Sequence, residues 1–78
     1  MPLAVINMQR TGENILSLRL EKGISVSDLA KILGFSTPHT IYRWQKGETL
    51  PSIDSLVVLS ELFGVSMNSI IAVDHVFL

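Results

Sequence analysis

The chain contains no cysteine, which excludes a disulfide framework and any thiolate metal site. That suits a reducing compartment, and a cytoplasmic, nucleoid-associated protein is expected. Histidine occurs only at His39 and His75, and neither sits in an HExxH or Cys/His cluster, so no metal site is expected. No Gly-x-Ser-x-Gly elbow, Walker sequence or paired-carboxylate motif is present. A chain of 78 residues also leaves little room for a pocket of about 300 Å3. Neither catalysis nor a cofactor is expected. The longest uncharged interior run, residues 62–73, falls far short of the roughly 20 residues a membrane helix needs. The apolar run at residues 3–6 is too short for a signal peptide, and Arg10 follows it rather than precedes it. A soluble protein with no membrane partner is the expectation.

Basic charge is missing from the second half. All six bases (Arg10, Arg19, Lys22, Lys31, Arg43, Lys46) lie in residues 1–47 with three acids, a balance of +3. Residues 48–78 carry four acids (Glu48, Asp54, Glu61, Asp74) and no base, a balance of −4. The overall charge of −1 therefore hides a basic half, the electrostatic footprint that nucleic-acid binding requires.

What is present is concentrated in residues 24–47, ISVSDLAKILGFSTPHTIYRWQKG. Ser25 is a good N-cap, and Asp28 three residues later completes a capping-box-like pair. Leu29, Ala30 and Leu33 form an apolar stripe that ends at Gly34, a left-handed helix stop. Phe35 is an apolar plug in the turn. Ser36 or Thr37 can cap the next helix, with Pro38 near its first position, where the missing N–H is harmless. Ile41 and Trp44 face inward. His39, Thr40, Tyr42, Arg43 and Lys46 face outward, and Gly47 closes the helix. A short helix with a buried Ile/Trp edge and a hydrogen-bonding, basic outer face suits a DNA major groove.

The rest of the chain reads as further helices without linker or repeat. A first helix is expected from about Asn7 to Lys22, with Met8, Thr11, Ile15 and Leu18 on one face. Leu16 and Leu20 sit off that face and need covering. A fourth helix follows Pro51, capped by Ser52, with Ile53, Leu56, Leu59 and Phe63 as its stripe before Gly64. Ser66 caps a short fifth helix ending near Ala72. The β-prone ends, residues 3–6 and 73–77, are expected to pair as an antiparallel ladder lying over Leu16 or Leu20, since an isolated strand is marginal.

These residues resemble the Cro/phage-repressor type of helix-turn-helix domain, also called the xenobiotic-response-element type. The resemblance rests on Gly12-x-x-Ile15-x-x-Leu18-Arg19, Gly23-Ile24-Ser25-x-x-x-Leu29-Ala30-x-x-Leu33-Gly34, Ile41-x-x-Trp44-x-x-Gly47, Pro51-Ser52, Leu56-x-x-Leu59 and Phe63-Gly64-Val65-Ser66. It implies a single all-α domain over residues 1–78. That domain has five helices, with the helix-turn-helix at about residues 25–46, and the paired ends read above would add a small two-stranded ladder. It also implies a transcriptional regulator, most often a repressor, that reads double-stranded operator DNA as a homodimer. The base-reading positions of the pattern fall on His39, Thr40 and Arg43. Phosphate contacts are expected from Ser25 and Val26 at a helix N-terminus, and from Thr37, Tyr42, Lys46 and Thr49.

Three positions depart from that pattern. The turn at residues 34–38 is one residue longer, which leaves the register of the recognition helix open by one. Val26 replaces a Gln, so only its backbone amide can meet a phosphate. Gln45 replaces a Glu, which deprives Arg19 of an opposing charge and leaves it more available to solvent or phosphate, although a structural role is favoured there.

An apolar content of 47% against 17% charge is high for so small a domain, and self-association would cover the excess. Ile70, Ile71, Val73, Val76 and Phe77 are the expected dimer surface. The rival reading is a protein-interaction module of the same fold, an antitoxin or antirepressor with weak or no DNA binding.

Overall fold

The computed structural model describes residues 1–77. Its elements, in order, are β1 (Pro2–Ile6), α1 (Met8–Glu21), α2 (Val26–Leu33), α3 (His39–Gln45), α4 (Ile53–Phe63), α5 (Met67–Ile70) and β2 (Val73–Phe77). Local chemistry sets most of the boundaries. Asn7, Ser25 and Ser52 accept from the backbone amides of Arg10, Asp28 and Ser55, each satisfying a donor that has no partner within its helix. Gly34 and Gly64 end α2 and α4 in the left-handed conformation, at φ 77° and 67°. α3 differs from the expectation. Pro38 itself occupies the N-cap position and no side chain caps the helix. The Thr37 hydroxyl instead accepts a long 3.4 Å bond from the His39 amide.

The core is built from Ile15, Val26, Leu29, Ala30, Ile41, Trp44, Leu56, Leu59, Phe63 and Ile70. Each fully buried large side chain contributes about 1.5–3 kcal/mol relative to exposure, so α2 and α3 are held chiefly by what they bury. Phe35 closes the turn between them by an edge-to-face contact with Trp44, the ring centroids 5.7 Å apart.

Several apolar positions lie elsewhere than the stripes predict. Ile53 is 76% exposed, and Leu20, already off the inner face of α1, is left 62% exposed. Met8 is also exposed, while Gly12 and Arg19 are buried on the inner face of α1. Ile53 opens α4, where the chain has not yet turned fully over the core. The period of the helix is right, but its first position falls outside the packed segment.

The expected antiparallel ladder forms, with Pro2 opposite Phe77, Leu3 opposite Val76, Ala4 opposite His75, Val5 opposite Asp74 and Ile6 opposite Val73. It does not lie over the helices. Both strands are exposed along their whole length, which is why Leu20 stays uncovered. The radius of gyration is 12.8 Å, against about 11.5 Å for a compact chain of this length; a projecting ribbon accounts for that excess. Its base is well anchored. The buried Thr11 hydroxyl donates to the Asn7 carbonyl at 2.8 Å and accepts from the Ala72 amide at 2.9 Å. Asp74 takes a bond from Asn7 and an ion pair from Arg10.

Beside that anchor lies an apolar pocket of about 300 Å3, lined by Ile6, Thr11, Leu50, Pro51, Ile53, Leu56 and Ile71. A cavity of that size is larger than the length of the chain suggested. Among its lining residues only Thr11 is polar, and its hydroxyl is already engaged on both sides.

Candidate nucleic-acid interface

The outer edge of α3 is built by subtraction. Ile41 and Trp44, three residues apart, are buried, which turns the positions between and around them to solvent. His39, Thr40, Tyr42, Arg43 and Lys46 are all exposed. Arg43 follows His39 by four residues and Thr40 by three, so the three share one helical face. Together they offer guanidinium, imidazole and hydroxyl donors plus a methyl group, the inventory that base edges in a major groove require.

The helix is clamped at its far end. A Cβ on Gly12 would overlap the Trp44 carbonyl oxygen, and one on Gly47 would come within 2.8 Å of the Gln9 Cα. Two side-chain-free positions thus let the end of α3 press against α1. Gly47 also sits at φ 76°, a conformation that a side chain would strain. Arg19 adds a polar tie: its Nε donates to Gln45 Oε1 at 3.0 Å and its Nη1 to the Ile24 carbonyl at 2.9 Å. At 9% exposure it is not available to phosphate, which corrects that part of the expectation. The guanidinium is a brace between α1, the turn before α2, and α3.

The expected phosphate contacts divide. Ser25 is exposed, with its hydroxyl bound to the Asp28 amide at 3.0 Å. The Val26 side chain is buried in the core, so as a side-chain contact it is excluded; its first-turn amide has no partner within the helix, as at any helix start. Thr37 and Lys46 are exposed, Tyr42 is half-exposed and Thr49 is half-buried. Of the dimer candidates, Val73, Val76 and Phe77 are exposed on the ribbon. Ile70 is fully buried in the protein's own core and Ile71 packs partly against it. Ile70 is therefore removed from that surface, because its helix presents it inward.

Two features were not read in the sequence. The clamps at Gly12 and Gly47 depend on contacts between distant segments. The ion pair between Arg43 Nε and Glu48 Oε2, at 3.5 Å, had a local signal: Gly47 reverses the chain and brings Glu48 back beside the helix it has just left. Among the described residues no helix is long and apolar enough to cross a membrane, and no group of three or more His, Cys, Asp or Glu could hold a metal ion.

Comparison with known proteins shows the family and the fold. The helix-turn-helix family matches residues 15–70, a span that leaves both strands of the ribbon outside it. A Pyrococcus furiosus protein named as an HTH-type transcriptional regulatory protein is 40% identical over 52 residues, 67% of this chain and 16% of its own length. A similarly named Pyrococcus horikoshii protein is 38% identical over the same shares. The chain thus spans about one sixth of the length of these relatives. Among solved structures, the restriction-modification controller protein C.AhdI from Aeromonas hydrophila superposes with a TM-score of 0.70 at 19% identity, covering 81% of this chain and 94% of that one. The DNA-binding domain of BldD gives 0.68 at 14%, covering 83% and 93%. Both share the fold. With the family matched over most of its length, the chain belongs to the helix-turn-helix family, of the Cro/phage-repressor type that its sequence resembles.

Proposed function

We propose that the protein is a DNA-binding transcriptional regulator, most simply a repressor, that inserts α3 into the major groove. The observation that carries this reading is the exposed edge of His39, Thr40 and Arg43 on a helix whose opposite edge is locked by Trp44 and Ile41. Arg43 is suited to guanine O6 and N7, His39 to the same acceptors, and Thr40 to a thymine methyl. Lys46, Tyr42, Thr37, Thr49, Ser25 and the Val26 amide are assigned to flanking phosphates, which fix register rather than sequence.

A homodimer on a pseudo-palindromic site, with recognition helices about 34 Å apart, fits the exposed apolar ribbon. Val73 and Phe77, on the ribbon face shared with Ile6 and with Ile71 at the neighbouring pocket, are the surface offered to a second copy, while Val76 lies on the opposite face. Selection of bound sequences from random duplex DNA tests the proposal. A recovered site with guanine in each half is expected; recovery of no preferred sequence would contradict it.

A further inference from the structure

We infer that Glu48 is a positioning residue for sequence discrimination, acting through Arg43; this rests on the DNA-binding reading above. Glu48 follows the helix-ending Gly47, whose positive φ turns the chain back on itself. The Glu48 amide donates to the Arg43 carbonyl at 3.0 Å, which fixes its backbone beside that residue. Its carboxylate then stands 3.5 Å from Arg43 Nε. A guanidinium carries its donors in a rigid planar fork. With the carboxylate opposing Nε, neither terminal nitrogen is engaged by another described residue, and a guanine edge can accept from that pair of donors.

The pair is half-exposed, at 48% and 52%, so its value to the free fold is small. Its consequence lies at the DNA. A long, mobile Arg can satisfy itself on any nearby phosphate, which is binding without reading. Holding Nε against a carboxylate restricts it to orientations in which the fork faces the groove. The same negative charge repels phosphates, so a complex in which Arg43 has no guanine partner gains nothing from the contact and meets the repulsion. Glu48 therefore lowers affinity for unrelated DNA more than affinity for the selected site.

The test is a competition measurement on Glu48→Gln, with the selected duplex and a duplex altered at the guanine assigned to Arg43. The expected result is tighter binding to both duplexes, with a ratio between them smaller by about three- to tenfold, part of what one bidentate base contact supplies. In an Arg43→Ala background, Glu48→Gln should change both affinities equally and leave the ratio unaltered. A circular dichroism spectrum and melting temperature matching the parent confirm that the exposed substitution leaves the fold intact. If Glu48→Gln tightens both duplexes equally with Arg43 present, the carboxylate merely repels DNA and the inference falls while the DNA-binding reading stands. Loss of preference at a neighbouring cytosine instead would make Glu48 a base reader and overturn the inference. A parent protein that does not distinguish the two duplexes would overturn both.

Discussion

Gly12 and Trp44 meet backbone to backbone: a Cβ on Gly12 would overlap the Trp44 carbonyl oxygen and lie 2.9 Å from that of Gln45. The contact sets how closely α3 docks on α1, and so the angle at which its outer edge is presented. An Ala at this position has two opposing effects. It gains about 1 kcal/mol of helix propensity, but overpacking typically costs about 1–3 kcal/mol or more. The neighbours are backbone atoms at the end of a packed helix and cannot swing aside, so overpacking wins. Gly12→Ala is expected to lower the melting temperature by at least about 5 °C. An unchanged or raised melting temperature would show that α3 has room to shift.

Gln45→Glu is expected to stabilise the protein. Arg19 is buried with a neutral acceptor from Gln45 and a carbonyl from Ile24. An ionised acceptor forms a stronger, charge-assisted bond, and Gln45 is only half-buried, so the carboxylate's desolvation is partial. A gain of about 1 kcal/mol is anticipated, read as a higher urea midpoint at unchanged slope. A lower midpoint would mean that the added charge is poorly placed.

The ribbon's attachment should depend on Thr11. Replacement by Val keeps the shape and deletes the hydroxyl. Asn7's carbonyl retains the Thr11 amide at 3.0 Å, so the orphan is the buried Ala72 N–H. Leaving it unsatisfied costs about 1–3 kcal/mol. Thr11→Val should therefore accelerate amide exchange at Ala72 and along β2 more than in α2. Uniform protection would show that the ladder holds itself.

Self-association through the ribbon predicts a species of twice the 8.6 kDa chain mass in sedimentation at micromolar concentration. Phe77→Lys places a charge on the face shared with Val73 and Ile6 and should return the protein to monomer without lowering its helix content. A parent protein that is monomeric throughout would contradict the assignment.

Much of this architecture was legible in the residues. Ser25, Gly34, Ser52 and Gly64 act locally, through caps and left-handed stops, and they appear where their chemistry requires. The buried Ile41 and Trp44 follow from helical period alone, and with them the outward placement of His39, Thr40 and Arg43. The antiparallel pairing of the strands was readable because two short β-prone ends have little else to pair with. What could not be read depends on packing between distant segments. Period says which side Ile53 and Ile70 share with their neighbours, but not that α4 begins outside the core or that α5 turns Ile70 wholly inward. Arg19 reads as more available to solvent or phosphate because its usual partner type is absent, although a structural role is favoured there. A carbonyl from Ile24, set by the turn rather than by sequence pattern, supplies the second bond that keeps it inside.

Arg43→Ala and Lys46→Ala, compared on a selected and an unrelated duplex across a range of salt, separate base reading from phosphate binding. Lys46→Ala should weaken both duplexes together and reduce the log–log salt slope by about 1, as for one lost phosphate contact. Arg43→Ala should act mainly on the selected duplex, with a loss of about 1–3 kcal/mol in discrimination. Unchanged affinity in both variants would contradict DNA binding through α3, and would leave the helix-turn-helix serving protein partners rather than DNA.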